Sequence, residues 1–112
     1  MPKDEMIYVG YMLDMSQKAV NALKGKTRSH YDQDEVLRLA LTHLVQTIGE
    51  AASHVSEAIQ TKYFNVPWKK IVGMRHKVVH DYMYVDYDIV WDVVSIELPT
   101  LIAELQKITK VN

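Results

Sequence analysis

Residues 32–62 read DQDEVLRLALTHLVQTIGEAASHVSEAIQTK, and their spacing decides the fold class. Leu37, Leu41, Leu44, Ile48, Ala51, Val55 and Ala58 alternate steps of four and three, the seam of a helix packed in a bundle. Val36, Ala40 and Ile59 form a second apolar stripe, which predicts burial on more than one side. Asp32 stands at the start with Glu35 three residues on, the spacing of a capping box. Gly49, Ala51 and Ala52 are small, so another helix can approach closely there.

The flanking sequence repeats the helical period. Upstream, Tyr8, Met12, Met15, Ala19 and Leu23 give one stripe over about residues 4–23, ended by Gly25 and the polar residues 26–30. Downstream, Pro67 opens a third helical block, because its missing N–H is not needed in a first turn. That block runs through Trp68, Ile71, Val72 and Arg75 towards His80, and Asp81-Tyr82-Met83-Tyr84-Val85 reads as a helix end or turn. A fourth block covers about residues 86–108, with Val90, Val94, Leu98, Leu101, Leu105 and Ile108 as its stripe. Pro99 falls inside it and should bend or split the helix. No segment alternates with period two, so no sheet is expected. One all-α domain over residues 1–112, an antiparallel four-helix bundle, is the predicted architecture.

Composition narrows the function. The chain has 112 residues, 48% of them apolar, enough for one compact domain. It has no cysteine, which excludes disulfides and thiolate metal sites. No apolar run is long enough for a membrane span, and acids interrupt the N-terminal apolar stretch, unlike a signal peptide. A cytoplasmic protein is expected. The net charge of −1 hides an uneven distribution. Residues 61–80 hold five Lys/Arg (Lys62, Lys69, Lys70, Arg75, Lys77), two histidines and no acid. Such an island attracts phosphate even on a nearly neutral protein; a solvated helix face is the plainer explanation.

The chemistry-bearing residues concentrate beside that island, in Arg75-His76-Lys77-Val78-Val79-His80-Asp81-Tyr82. Cleaving RNA by attack of a ribose hydroxyl needs a group to hold the phosphate as it gains charge, and arginine's planar fork does so. It also needs a group that moves protons near neutral pH, for which histidine is suited. Arg75 and His80 supply both, and Tyr82 is placed to contact phosphate or orient the histidine. On a regular helix of about 3.6 residues per turn, Tyr82 stacks above Arg75 while His80 points well round from it. Either the helix unwinds near His80, or a two-fold axis completes the site.

At this point the chain resembles the HEPN ribonuclease toxins of the HepT family. The spacing Arg75…His80-Asp81-Tyr82 is similar to that family's Arg-x4-His-x-Tyr signature. Tyr11-Met12-Leu13-Asp14-Met15, Ile48-Gly49-Glu50-Ala51-Ala52, Val66-Pro67-Trp68 with Ile71-Val72-Gly73-Met74-Arg75, Val90-Trp91 and Leu98-Pro99 resemble its other segments in order. The resemblance implies a homodimer whose two motifs line one cleft. It implies metal-independent endoribonuclease activity with Arg75 and His80 catalytic; beside them His76, Lys77, Tyr82 and Glu50 are expected to support the site or bind RNA. It implies no cofactor and no metal. It also implies a type VII toxin–antitoxin pair, in which a minimal nucleotidyltransferase transfers AMP to Tyr82. Added phosphate there repels the RNA backbone. The residue after the arginine is commonly asparagine in that family; here it is His76, a second titrating group near His80.

Plainer roles compete for several residues. His76 and His80 share the four-residue spacing of metal ligands, but no third ligand is evident. His43 and His54 read as surface or boundary histidines and His30 as a solvated linker residue. Glu50 interrupts an apolar helix and is expected to pair with Arg75 or cap a helix, because a buried carboxylate needs a partner. Trp68 and Trp91 read as core or interface anchors, Tyr84 and Tyr87 as covers for a helix end, Arg38 as an exposed helix position, and the methionines as core fillers. The alternative to an enzyme is a non-catalytic helical partner of a nucleotidyltransferase that binds nucleotide or RNA.

Overall fold

The computed structural model describes residues 3–81 and 84–111, with side chains described for residues 5–79 and 84–109. Helix α1 (Lys3–Leu23) is followed by α2 (Arg28–Gln33), α3 (Glu35–Ser53), α4 (Glu57–Lys62) and α5 (Trp68–Val78). A two-stranded ribbon, β1 (Val79–Asp81) and β2 (Tyr84–Val85), leads to α6 (Tyr87–Asp92), a π-helical turn (Val93–Glu97) and α7 (Leu98–Val111). The all-α class is as expected, and the antiparallel ribbon is a departure from a sheet-free chain.

Helix α3 is the central element, packed between α1 and α5, while α1 also packs on α7. Tyr8 near the start of α1 meets His54 just past the end of α3, so these two helices run antiparallel. The stripes read from the sequence build the core: Met12, Met15, Ala19 and Leu23 from α1, Leu41, Ile48 and Ala51 from α3, and Leu98, Leu101, Leu105 and Ile108 from α7. Of the second stripe only Ile59 is buried; Val36 and Ala40 lie on the exposed face of α3.

The long second block is two helices and part of a third. Asp34, not Asp32, caps α3, its carboxylate accepting the Leu37 N–H at 3.0 Å. Asp32 belongs to α2, a helix in the stretch expected to be linker. There His30 is exposed as expected, but it belongs to a helix and not to a linker. Its N–H donates to Thr27 Oγ1 at 3.2 Å and its Nδ1 accepts the Thr27 N–H at 3.1 Å, a capping box with histidine in the glutamate's place. The seam breaks at residues 54–56, because Ser56 caps α4 and its N–H donates to Glu5 of α1. Val55 and Ile59 stay buried across the break, which is why periodicity alone missed it.

Pro67 stands one residue before α5, its carbonyl accepting the Ile71 N–H at 3.0 Å. Pro99 is the second residue of α7, and the expected interruption is the π turn between α6 and α7 just ahead of it. The proline cannot donate to the carbonyl four residues back, and the turn ahead of it widens, so Leu98 N–H reaches the Val93 carbonyl. Val93 and Val94 are both buried there.

Candidate active site

The site is built where α5 crosses α3. The buried face of α5, Trp68, Ile71, Met74 and Val78, seats it on the core. Gly49 lets it come close: a methyl group at that position would lie 3.1 Å from the Ile71 carbonyl oxygen and 3.7 Å from the Arg75 nitrogen. The next residue along α3, Glu50, then meets Arg75 on the last turn of α5, and its Oε1 accepts from an Arg75 terminal nitrogen. The expected Glu50–Arg75 pair is present. Its carboxylate is 55% exposed, so it is a surface acid with a partner and not a buried one. Arg75 itself is half-buried, and among the described residues its Nε is enclosed with no hydrogen-bond partner.

Beyond Arg75 the helix ends. Val79 takes an extended conformation (φ −123°, ψ 109°) while its N–H still reaches the Arg75 carbonyl. The Asp86 N–H donates to the Val78 carbonyl at 2.7 Å and closes the base of the ribbon. Val79 pairs with Val85 and Asp81 with Tyr84, with an irregular register between them. Of the two alternatives for His80, the backbone takes unwinding. His80 lies in β1, so His76 and His80 do not share a helix face. The side chains of His80 and Asp81 and the whole of Tyr82 and Met83 lie outside the described residues.

His76 and Lys77 are exposed on the last turn of α5, where positive charge complements the helix dipole. The basic island is partly neutralised: Arg75 by Glu50, and Lys70 by Glu97 at 3.0 Å across to the π turn. Lys69 and Lys77 remain exposed. Among the described residues no group of three His, Cys, Asp or Glu side chains is arranged to hold a metal ion. None of the described helices is long and apolar enough to cross a membrane.

The other candidates take structural places. Trp68 is buried and donates its indole N–H to the Tyr63 carbonyl at 3.0 Å. Trp91 packs against buried Tyr31 with ring centroids 5.1 Å apart. The Arg38 guanidinium donates to the Tyr31 carbonyl at 2.9 Å and lies over the Tyr87 ring, so Arg38 holds α2 to α6 and is no free surface arginine. Arg28, unremarked in the sequence, bridges Asp32 and Asp88, and their hydrogen bonds hold its guanidinium charged beyond the ordinary arginine range. His54 is exposed, as a surface or boundary histidine should be, yet it has partners. Its ring stacks on Tyr8 (centroids 4.9 Å) and its Nε2 lies 3.2 Å from Glu50 Oε2, a contact already encoded in the four-residue spacing of Glu50 and His54.

The chain was compared with known proteins. The HepT-like family, described as Ribonuclease HepT-like, matches residues 12–108. A candidate RNase of Caldanaerobacter subterraneus is 32% identical over 101 residues, covering 90% of each chain. A candidate RNase of Methanocaldococcus jannaschii is 31% identical over 111 residues, covering 98% of this chain and 92% of its own. A protein of Thermococcus cleftensis, named as a candidate ribonuclease HepT, is 27% identical over 77 residues, covering 69% of this chain and 70% of its own. No solved structure matches. With the match spanning the core helices, the Gly49 crossing and Arg75 alike, this chain belongs to the HepT-like ribonuclease family.

Proposed function

We propose that this chain is the toxin of a type VII toxin–antitoxin pair, a metal-independent endoribonuclease acting in the cytoplasm as a homodimer. The observation that carries the reading is the placement of Arg75. It stands on the last turn of a helix locked down at Gly49, held by a carboxylate, immediately before the extended segment that bears His80. An arginine positioned in this way is preorganised for a phosphate that gains charge in the transition state.

In this mechanism the ribose 2′-hydroxyl attacks the adjacent phosphorus. The 2′-oxygen–phosphorus bond forms and the bond to the 5′-oxygen breaks. His80 takes the hydroxyl proton, and the departing 5′-oxygen gains one in turn. Arg75 grips the non-bridging oxygens. His76 and Lys77, exposed one turn from the chain reversal, bind the neighbouring backbone. A minimal nucleotidyltransferase antitoxin disarms the enzyme by transferring AMP to Tyr82, whose phosphate repels RNA from the same cleft.

The test is cleavage of defined RNAs in excess chelator by protein whose intact mass shows no AMP, beside Arg75→Ala and His80→Ala. Cleavage by wild type and its loss in both variants is the expected result. No cleavage by AMP-free wild type across several RNA classes would overturn the enzyme in favour of a non-catalytic partner of the nucleotidyltransferase.

A further inference from the structure

The two oxygens of the Glu50 carboxylate are divided between two side chains. Oε1 takes Arg75, and Oε2 lies 3.2 Å from His54 Nε2. His54 is itself fixed from a third direction. Its ring lies almost parallel to that of Tyr8 on α1, at 19° and 4.9 Å. Its backbone caps the end of α3, its N–H pointing to the Ala51 and Ala52 carbonyls. Two residues on, Ser56 N–H donates to Glu5, also on α1. The turn that carries His54 is thus tied to the start of α1 at two points.

Without His54, the Glu50 side chain has rotatable bonds and an exposed carboxylate, and exposed ion pairs sample many geometries at little cost. With one oxygen taken by a ring held on Tyr8, the other oxygen has a preferred direction, and Arg75 lies along it. The geometry points to His54 as a positioning residue for Arg75, acting through Glu50, with Tyr8 as its platform. This extends the ribonuclease reading of Arg75 and rests on it for the effect on catalysis. The chain Tyr8–His54–Glu50–Arg75 joins α1, the end of α3 and α5 in one row, so docking of the N-terminal helix is coupled to the direction of the arginine. The hydrogen bond uses a single nitrogen at the reach of a glutamine amide, so a glutamine keeps the contact to Glu50 while losing the stack on Tyr8.

The experiment compares wild type, His54→Ala and His54→Gln, with Tyr8→Phe as a variant that keeps the stacking ring. Two quantities are read. One is the nitrogen-15 and proton resonance of the Arg75 guanidinium, assigned by its loss in Arg75→Lys; the other is kcat for cleavage of a defined RNA. A one-ångström misplacement of such a group costs up to about a hundredfold; the partial loosening expected of His54→Ala lowers kcat by about tenfold and shifts the Arg75 resonance. His54→Gln restores both towards wild type, and Tyr8→Phe leaves both unchanged. An Arg75 resonance and kcat unmoved in His54→Ala overturns the inference, as does a His54→Gln protein that behaves like His54→Ala. A folded His54→Ala protein is verified by its unfolding transition; if it does not fold, the Gln variant and Glu50→Gln carry the comparison on the same resonance. Wild type that cuts no RNA refutes the ribonuclease reading instead, and the resonance still decides the positioning.

Discussion

Gly49 is the residue on which the site's geometry turns. Its role is steric, since a methyl group there meets the Ile71 carbonyl oxygen at 3.1 Å, an atom of the backbone that cannot swing aside. Gly49→Ala should therefore destabilise the fold by about 1–3 kcal/mol, as overpacking does, and push Arg75 away from Glu50. Urea unfolding measures the first effect and the Arg75 resonance the second; a stability unchanged within error would show that α5 does not rest on that contact. Tyr31 makes a prediction of a different kind. Its buried hydroxyl donates to the Tyr87 carbonyl at 2.6 Å, and burial pushes its pKa up to about 12. Phenols in an unfolded chain titrate near pH 10. The folded state thus holds this proton more tightly than the unfolded state does. The associated stability is complete below about pH 10 and is lost as pH rises through about 12. Stability measured over that window should fall in wild type and fall less in Tyr31→Phe.

At the scale of elements, the π turn and its proline invite separation. If Val93–Glu97 rewound as an α-helix, everything downstream would rotate by about 100°. Leu101, Leu105 and Ile108 would then leave the core they now fill. Packing holds the wide turn, and Pro99 is compatible with it more than the cause of it. Pro99→Ala should accordingly keep the π turn and change stability by no more than about 1 kcal/mol. Carbon chemical shifts of residues 93–99 check the geometry, and a regular α pattern there would refute the argument. The same competition between pattern and packing explains the break before α4. A short run with Ser56 as cap and Glu5 as acceptor ended a helix that the apolar spacing alone would have continued.

For the whole molecule, net charge matters less than which charges are free. Arg75 and Lys70 are each held by a carboxylate, whereas Lys69 and Lys77 are exposed near the candidate site. If RNA is bound there, each lysine that meets a phosphate adds about 0.7 to the slope of log affinity against log salt. Replacing Lys69 and Lys77 with glutamine should lower that slope by about 1.4 in a filter-binding or anisotropy titration. An unchanged slope would place the RNA elsewhere on the surface.

The helical class was legible in residues 32–62 and their neighbours, because a stripe at steps of three and four has one economical use, burial against other helices. The Gly49-Glu50 pair and the motif around Arg75 were equally legible, since a small residue beside a lone acid announces a close crossing with a charged partner. Three things were decided only by the folded chain. The short helix α2 depends on a histidine serving as a capping residue, a role that spacing does not advertise. The end of α5 at Val78 depends on Asp86 and Val85 returning to pair with it, contacts made across the chain. The part of His54 depends on Tyr8, 46 positions away in sequence and in stacking contact in space. Local propensity and periodicity act along a few turns of chain. Which groups meet at a site is set by long-range packing, and that is where the candidate active site is assembled.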